Sequence, residues 1–444
     1  MAIKFSVQLL IFFAIFSAVP LLAGELFAEP SELQARIERP EEKWGVGFGF
    51  RVASNPFVEG DSVLEDVFPL LYYDSRYFYL DGLEAGFKLH TEEDWRLNLL
   101  ARWRFIDVPE DYNNQMDTDV LDWGLGFRYQ PDRNPLYFEA DLLSDERQRL
   151  SSTLKSGYEM VSGRLEWDPY LALRLKSSRF NDYYYGLARY SVGSGTDISL
   201  GLEGWYYLGN DLYLKSSLAL TWLDRAASSS VFVDEEIQEN ILFGLVYRNG
   251  RSRPLKSSIK AKPYLRVVYG WATPSDIKDI ITFNNRKDDK DNKLFSLFYG
   301  LPLSDEWFGL PLATYLTPGY VWHWHSDVQD AGQEYVLAIK SYYTFDWPSQ
   351  WRVGLGTGFS YAAKVSYIED VEMARKGYED AKWLLYLDFS VDMNLGKLFR
   401  LQSLDDIWLG YSLHHRSGIF GTSSMFSRIK GGSNYNTISL QYHF

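Results

Sequence analysis

The last stretch of the chain, NYNTISLQYHF (Asn434–Phe444), carries the alternation of side chains that decides the fold. Even-numbered residues from Ile438 to Phe444 are apolar or aromatic, whereas odd-numbered residues from Thr437 to His443 are polar. A β-strand points successive side chains to opposite faces, so this ending has one apolar and one polar face. We therefore expect an apolar environment to cover one face of the last strand.

The same alternation recurs along the chain, in Trp95–Phe105, Leu212–Trp222 and Trp383–Leu395, with polar turns between such segments. Strands of about 9 to 11 residues with aromatic ends match the span of a tilted strand across a bilayer. The pattern places several charged residues on the polar faces, namely Arg96, Arg102, Arg104, Lys215, Asp388 and Asp392. A helical periodicity of comparable length is not evident.

Composition narrows the class of protein. The chain is 46% hydrophobic and 17% aromatic, yet it carries a formal net charge of −14 and contains no cysteine. Without cysteine it has neither disulfides nor a lipidation site. The charged loop that begins at Ser275 balances acids against bases, which argues against a nucleic-acid-binding patch. No nucleic-acid partner is predicted.

The amino terminus indicates export. A short basic start is followed by the apolar run Phe5–Ala23 and by small residues up to Ala28, the pattern of a signal peptide over residues 1–28. Pro20 and the small residues argue against a transmembrane anchor. In lipid only a closed barrel satisfies every backbone group of a set of strands. We therefore predict an all-β fold, an antiparallel transmembrane β-barrel of the bacterial outer membrane, whose terminal Phe444 resembles a barrel-insertion signal.

Two barrels are favoured over one. The basic segment RNGRSRPL (248–255) interrupts the strands, with about twelve strands before it and about eight after it at the usual strand length. This division predicts a first barrel over residues 40–248, a connector over 249–257 and a second barrel over 258–444. A single large barrel of about twenty strands is the alternative.

Motifs in the first half carry a family resemblance. The segment from Trp44 runs WGVGFGF, then NPFVEGD, PLLYY and YFYLDG, and FNDYYYGLARY follows from Phe180. These motifs resemble the opening half of the MipA/OmpV family of outer-membrane proteins. The resemblance implies a scaffold that holds a periplasmic lytic transglycosylase near a murein synthase in the cell envelope.

The second half contains a different constellation, LGYSLHHRSGIFG (409–421), in which alternation places His415 and Ser417 on the lipid-facing side. Unpaired polar groups are costly there. The arrangement resembles lipid A 3-O-deacylase of the PagL type, which implies His415 as base and Ser417 as nucleophile. The chain departs from that pattern at Gly418, where the family has Asn, and in lacking a downstream acid. Glu369 or Glu372 in a neighbouring loop, or Asn434 or Asn436, are the candidates that would orient the imidazole.

Other interpretations remain open. His415 and Ser417 also suit an interfacial girdle, with Arg416 meeting lipopolysaccharide phosphates. A porin-like channel would require the inward charges to line open water. The run Ile368–Lys382 is interpreted as a loop, and HWHSD (323–327) as part of an aromatic girdle, so that neither a metal nor a cofactor is predicted.

Overall fold

The computed structural model describes residues 43–418 and 432–444, apart from 61–62, 106, 109–119, 132–133, 210, 250–258, 276–278, 281–283, 285 and 376–380. The predicted signal peptide, 1–28, lies outside the described residues, as does the connector beyond residue 249. Among the described residues, no helix has the length and apolar character needed to cross a membrane. The chain forms two separate antiparallel sheets.

The first sheet closes into a barrel. Its strands are β1 (Lys43–Ser54), β2 (Val63–Asp74), β3 (Phe78–Gly82), β4 (Glu84–Thr91), β5 (Trp95–Arg104), β6 (Val120–Tyr129), β7 (Leu136–Ser144), β8 (Leu150–Tyr158), β9 (Met160–Ser162), β10 (Leu165–Lys176), β11 (Gly195–Gly209), β12 (Leu212–Trp222) and β13 (Ile237–Arg248). Strands β8 and β9 pair with successive parts of β10 and together occupy one strand position of the barrel. The thirteen segments therefore form a barrel of twelve strands. Pairing of β1 with β13 closes the ring.

The second sheet is a closed barrel of eight strands. Its strands are β14 (Tyr264–Thr273), β15 (Lys293–Ser304), β16 (Leu312–His323), β17 (Gly332–Phe345), β18 (Trp351–Ala362), β19 (Trp383–Asn394), β20 (Ile407–Ser417) and β21 (Gly432–His443). The last strand pairs with β14, so this ring closes without any strand of the first barrel. The expectation of consecutive barrels of twelve and eight strands is confirmed, and the single large barrel is wrong.

The alternation read from the sequence positions each strand. In β21 the polar residues Thr437, Ser439 and Gln441 are buried in the barrel, while Ile438 and Leu440 are exposed on its outer wall. The same exposure of apolar side chains recurs on most strands of both barrels. An outer wall of this kind is stable against hydrocarbon and not against water.

Connection lengths orient the second barrel. Residues 274–292, 324–331, 363–382 and 418–431 join strands at one end, and the segments 305–311, 346–350 and 395–406, which are shorter on average, join them at the other. Long connections are extracellular and short turns periplasmic in outer-membrane barrels, so both chain ends of this barrel are periplasmic.

Within the part of the chain that the structure describes, four short helices lie between strands. They are α1 (Ser178–Tyr184), α2 (Arg225–Ser228), α3 (Tyr367–Arg375) and α4 (Leu395–Phe399). The interpretation of Ile368–Lys382 as a loop was wrong over the α3 residues, because that helix packs over the mouth of the second barrel and buries Met373 and Glu369.

The extracellular end of the first barrel is covered by its own loops. Side chains from four loops form one apolar cluster: Phe57, Val108, Phe180, Tyr184, Leu187, Leu223, Ala227 and Val233. The helices α1 and α2 contribute to this cap, and Arg104 from the barrel wall stacks under the Phe180 and Tyr184 rings. The family motifs that begin at Asn55 and Phe180 therefore meet in one structure.

The outer walls of the two barrels pack against each other. One contact buries Leu212 and Leu245 of the first barrel with Ile339 of the second. Another joins Val67 to Leu385, with Phe50 and Phe359 partly buried beside them. Because protein buries these apolar side chains, the walls that carry them do not face lipid. The rest of the outer wall of each barrel does.

Candidate active site on the outer wall of the second barrel

The site lies at the extracellular end of β20. Alternation along this strand directs Ser412, His414 and Arg416 into the barrel, where all three are buried, and directs His415 and Ser417 to the outer wall. The next residue of the chain, Gly418, begins the extracellular connection to β21. The predicted pair therefore stands on the lipid side near the outer leaflet.

Three side chains on this wall form a continuous chain of hydrogen bonds. The Ser417 Oγ lies 2.8 Å from His415 Nε2, and His415 Nδ1 lies 2.5 Å from Asn434 Oδ1 on β21. Antiparallel pairing sets His415 directly opposite Asn434, so the strand register creates the second contact. A hydroxyl, an imidazole and an orienting oxygen in this order are the parts of a nucleophilic triad.

The amide of Asn434 is itself oriented. Its Nδ2 donates to the carbonyl oxygen of Ser275, at 2.9 Å, in the extracellular connection after β14. Since the nitrogen of the amide is used there, the Oδ1 is the atom that faces the imidazole and accepts the Nδ1 proton. That contact leaves the Nε2 lone pair to accept from Ser417, which is the tautomer a general base requires.

Close approach of the two strands depends on glycine at the start of β21. A Cβ at Gly432 would lie 1.7 Å from the carbonyl oxygen of Arg416. Any larger residue would push β21 away from β20 just where His415 and Asn434 meet. The backbone at Gly432 is therefore part of what positions the triad.

The surroundings of the site restrict how a substrate reaches it. Ser417 is 9% exposed, and the residue opposite it on β19 is Leu385. Because Leu385 packs on Val67 of the first barrel, protein closes that side. On the other side the wall of β21 exposes Ile438 and Leu440. The exposed apolar surface beside the site therefore extends along β21.

Arg416 and Glu369 lie inside the barrel and not on the outer wall with His415 and Ser417. Arg416 is 1% exposed inside the barrel, where its Nη1 lies 2.7 Å from Glu369 Oε2 and its Nε donates to Ser360 at 2.9 Å. This corrects the expected lipopolysaccharide contact of Arg416, because the guanidinium faces the lumen. It also corrects Glu369 as the orienting acid, because that carboxylate binds Arg416 and Ser433 inside the barrel.

The upper lumen is filled by a polar network centred on Glu334. The carboxylate lies 2.8 Å from His323 Nε2 and 3.2 Å from His414 Nε2, and it accepts from Ser360 at 2.6 Å. His323 of the HWHSD segment thus points inward, as a hydrogen-bond partner of Glu334 and not as a girdle residue. Among the described residues no cluster of His, Asp and Glu has the arrangement of a metal site.

Deeper in the lumen, charges pair with each other. Asp388 lies 2.5 Å from Arg266 and 2.8 Å from Lys340, while Asp392 lies 3.0 Å from Arg352. All these side chains are nearly inaccessible to solvent. A porin-like channel requires charges that face water, and the described residues of the second barrel instead neutralise one another across its interior.

Some side-chain contacts on this wall carried no signal in the sequence alone. The carbonyl oxygen of Ser275 accepts from the Asn434 side chain although the two residues are far apart in sequence. The Tyr411 hydroxyl donates to Asn436 Oδ1 at 2.6 Å, two residues along β21 from Asn434. Strand alternation identified the faces of β20 and β21. Their relative register, which decides which Asn meets which partner, required the three-dimensional structure.

The part of the chain that matches a known family ends where the first sheet ends. Residues 46–249 match the family described as MltA-interacting protein MipA. Proteins named MltA-interacting protein from Escherichia coli K12 and Shigella flexneri are each 22% identical over 232 residues, covering 48% of this chain and 93% of the relative. The expected family resemblance of the first barrel is thereby confirmed.

Solved structures of membrane barrels align over most of the chain. Pseudomonas aeruginosa OccK11 covers 90% of this chain and 95% of its own, at 10% identity and a TM-score of 0.23. The transport unit of the Escherichia coli autotransporter AIDA-I covers 97% of both chains, at 8% identity and a TM-score of 0.20. Scores this low carry no argument about function, so the site has to be judged on its own geometry.

Proposed function

We propose that this chain, whose first barrel matches the MipA family, is an outer-membrane protein that hydrolyses an acyl ester of a membrane lipid at Ser417. The observation that carries the proposal is the hydrogen-bonded chain from Ser417 through His415 to Asn434 on a lipid-facing wall. A purely structural girdle has no need of this order of groups or of an amide held in one orientation.

The reaction follows from the atoms present. The Ser417 Oγ attacks the ester carbonyl while His415 Nε2 takes its proton, and Asn434 Oδ1 holds the Nδ1–H and so the ring. Collapse of the tetrahedral intermediate breaks the ester bond, and His415 returns the proton to the departing alcohol. Water then attacks the acyl-serine, again with His415 as base, and releases the fatty acid. Asn434 supplies orientation without the negative charge of an aspartate.

The position of the site favours a lipid of the outer leaflet as substrate. Ser417 is near the extracellular end of its strand, and an apolar wall extends below it along β21. A lipid whose ester lies at the membrane surface and whose chain extends into the hydrocarbon matches this layout. In the outer membrane that description fits the lipid A portion of lipopolysaccharide.

Mass spectrometry of lipid A tests the proposal. The purified full chain, incubated with lipopolysaccharide in detergent, should remove one ester-linked fatty chain. The variants Ser417→Ala and His415→Gln should lower the rate by at least about 10³-fold, since nucleophile and base act as a unit. The matched control Tyr411→Phe alters the same wall and strand but leaves the triad intact, and should retain activity.

Folding has to be checked in parallel. The parent protein and each variant should migrate as compact barrels on unheated gels. Lipid A left unchanged by the folded parent protein, with phospholipid esters unchanged as well, would refute the hydrolase. Equal activity in the parent and in Ser417→Ala would assign the reaction to a contaminant.

A second candidate function rests on the first barrel. Because its relatives are named MltA-interacting protein, a scaffold role for a lytic transglycosylase and a murein synthase is the proposal for residues 46–249. Capture from detergent-solubilised membranes tests it: the full chain and Ser417→Ala should both retain murein enzymes. Failure of both to retain any murein enzyme would contradict the scaffold and leave the hydrolase untouched.

Export through the predicted signal peptide completes the proposal. Residues 1–28 would direct export and then be removed, and Phe444, directly after β21, would serve insertion into the outer membrane. The intact mass of the mature protein checks this directly, because a chain that still begins at Met1 in the outer membrane would be inconsistent with cleavage.

A further inference from the structure

A surface cleft lies at the periplasmic end of the second barrel, away from the proposed active site. It has a volume of about 480 Å³ and lies between the turn 346–350, which joins β17 to β18, and the segment that follows β19. The residues that line it include Asp346, Lys397, Leu398 and Arg400. Neither the triad nor the luminal network includes any of these residues.

The two walls of the cleft are joined and locally ordered. The Asn394 N–H donates to the carbonyl of Gln350 at 3.0 Å, and its side chain caps α4 by accepting from the Lys397 N–H at 2.9 Å. The helix ends at Phe399, and its C-cap residue, Arg400, adopts the left-handed conformation with φ 59° and ψ 38°. A non-glycine residue in this conformation carries local strain, a feature that often accompanies function.

The cleft presents both signs of charge. Lys397 forms an exposed ion pair with Asp405 at 3.1 Å. The Asp346 carboxylate accepts from the neutral amide of Gln350 at 3.0 Å, and no ion pair is found for it among the residues that the structure describes. Arg400 is exposed, and no ion pair is found for it among the described residues. A cation and an anion that are not neutralised by one another therefore line the same cleft.

Exposed apolar side chains surround these charges. Trp347 is 83% exposed, Phe399 is 59% exposed, and Leu398 and Leu401 are exposed beside them. They lie just beyond the strand ends, next to the lipid-type wall residue Met393. Aromatic and apolar residues at this level, together with a cation, are typical of the boundary between acyl chains and headgroups.

We infer that this cleft binds the headgroup of a zwitterionic phospholipid of the periplasmic leaflet, one that carries a phosphate and a primary ammonium. Arg400 meets the phosphate, Asp346 meets the ammonium, and Trp347 and Phe399 lie among the acyl chains. An anionic headgroup without an ammonium would leave Asp346 without a counter-ion. A quaternary amine could not donate a hydrogen bond to that carboxylate.

Native mass spectrometry of the full chain tests the inference with phosphatidylethanolamine, phosphatidylglycerol and phosphatidylcholine of identical acyl chains. The parent protein should retain phosphatidylethanolamine in preference to the other two. Arg400→Gln should weaken that retention about fivefold, the effect expected when an exposed charge-assisted contact of about 1 kcal/mol is lost. Asp346→Asn should abolish the preference over phosphatidylglycerol.

The matched control is Arg76→Gln, because Arg76 is an exposed arginine in a periplasmic turn of the first barrel. Equal retention of all three lipids by the parent, or equal losses in Arg76→Gln and Arg400→Gln, would overturn the inference. Cleft variants that lose a murein enzyme while lipid retention is unchanged would assign the surface to a protein partner and equally overturn it. Lipid A hydrolysis should be unaffected by either cleft variant.

Discussion

Replacing Asp388 by Asn measures whether the interior of the second barrel is a packed, dry core. The Asp388 carboxylate lies between Arg266 at 2.5 Å and Lys340 at 2.8 Å, and the three side chains are 5%, 2% and 2% exposed. The amide of Asn has nearly the same shape, so packing is preserved while the negative charge is removed. Two buried cations are then left without their shared counter-ion.

The magnitude follows from these distances. At an effective dielectric constant of about 20, each pair attracts by about 6 kcal/mol. Much of that attraction offsets the cost of taking the charges out of water, and removing one partner of a buried ion pair costs a net of about 3 to 5 kcal/mol. We expect Asp388→Asn to lose free energy of unfolding in this range.

The assay is equilibrium urea unfolding in lipid vesicles, followed by fluorescence. Free energies of unfolding are compared between proteins whose unfolding free energy falls with urea concentration at the same slope. The control is Asp330→Asn, which breaks the exposed ion pair with Lys364 at 2.5 Å, whose side chains are 79% and 50% exposed. Such pairs contribute about 1 kcal/mol or less. Equal small losses of unfolding free energy in the two variants would refute a dry interior and favour a water-filled channel.

Three further predictions concern other parts of the molecule. Asn434→Ala should lower turnover of the proposed lipid substrate by about 10- to 100-fold, because about 1.5 to 3 kcal/mol of charge-assisted hydrogen bonding to the imidazole is lost; unchanged turnover would remove Asn434 from the triad. Leu385→Ala, at the contact between barrels, should cost about 2 to 5 kcal/mol in the same unfolding assay, whereas Leu355→Ala, on a lipid-exposed wall, should cost less. Burial raises the pKa of Asp224, but hydrogen bonds from Lys176 and a helix N–H outweigh it and hold the pKa below its usual value. The cap of the first barrel should therefore be fully stabilised above about pH 4 and lose this stabilisation as the pH falls further. Limited proteolysis would detect the loss, and Asp224→Asn should abolish this dependence of cap stability on pH.

Much of the fold followed from local patterns. Period-two alternation identified strands such as β5, β12, β19 and β21 and assigned their faces, because a strand exposes alternate side chains to alternate environments whatever its partners are. The interruption after Arg248 indicated two barrels, since a closed ring requires a return to its first strand. The same alternation placed His415 and Ser417 on the outer wall before any contact was known.

The sequence by itself therefore determined the class of fold and the faces of the residues proposed for catalysis, and it favoured two barrels over one; the separate closure of each ring was decided by the tertiary structure. Only the tertiary structure decided their partners: Asn434 for His415, Glu369 for Arg416, and Val67 of the first barrel for Leu385. The reason is physical. Alternation is a property of one strand and its solvent, whereas register and barrel contact depend on how distant segments pair, which no local pattern of side chains specifies.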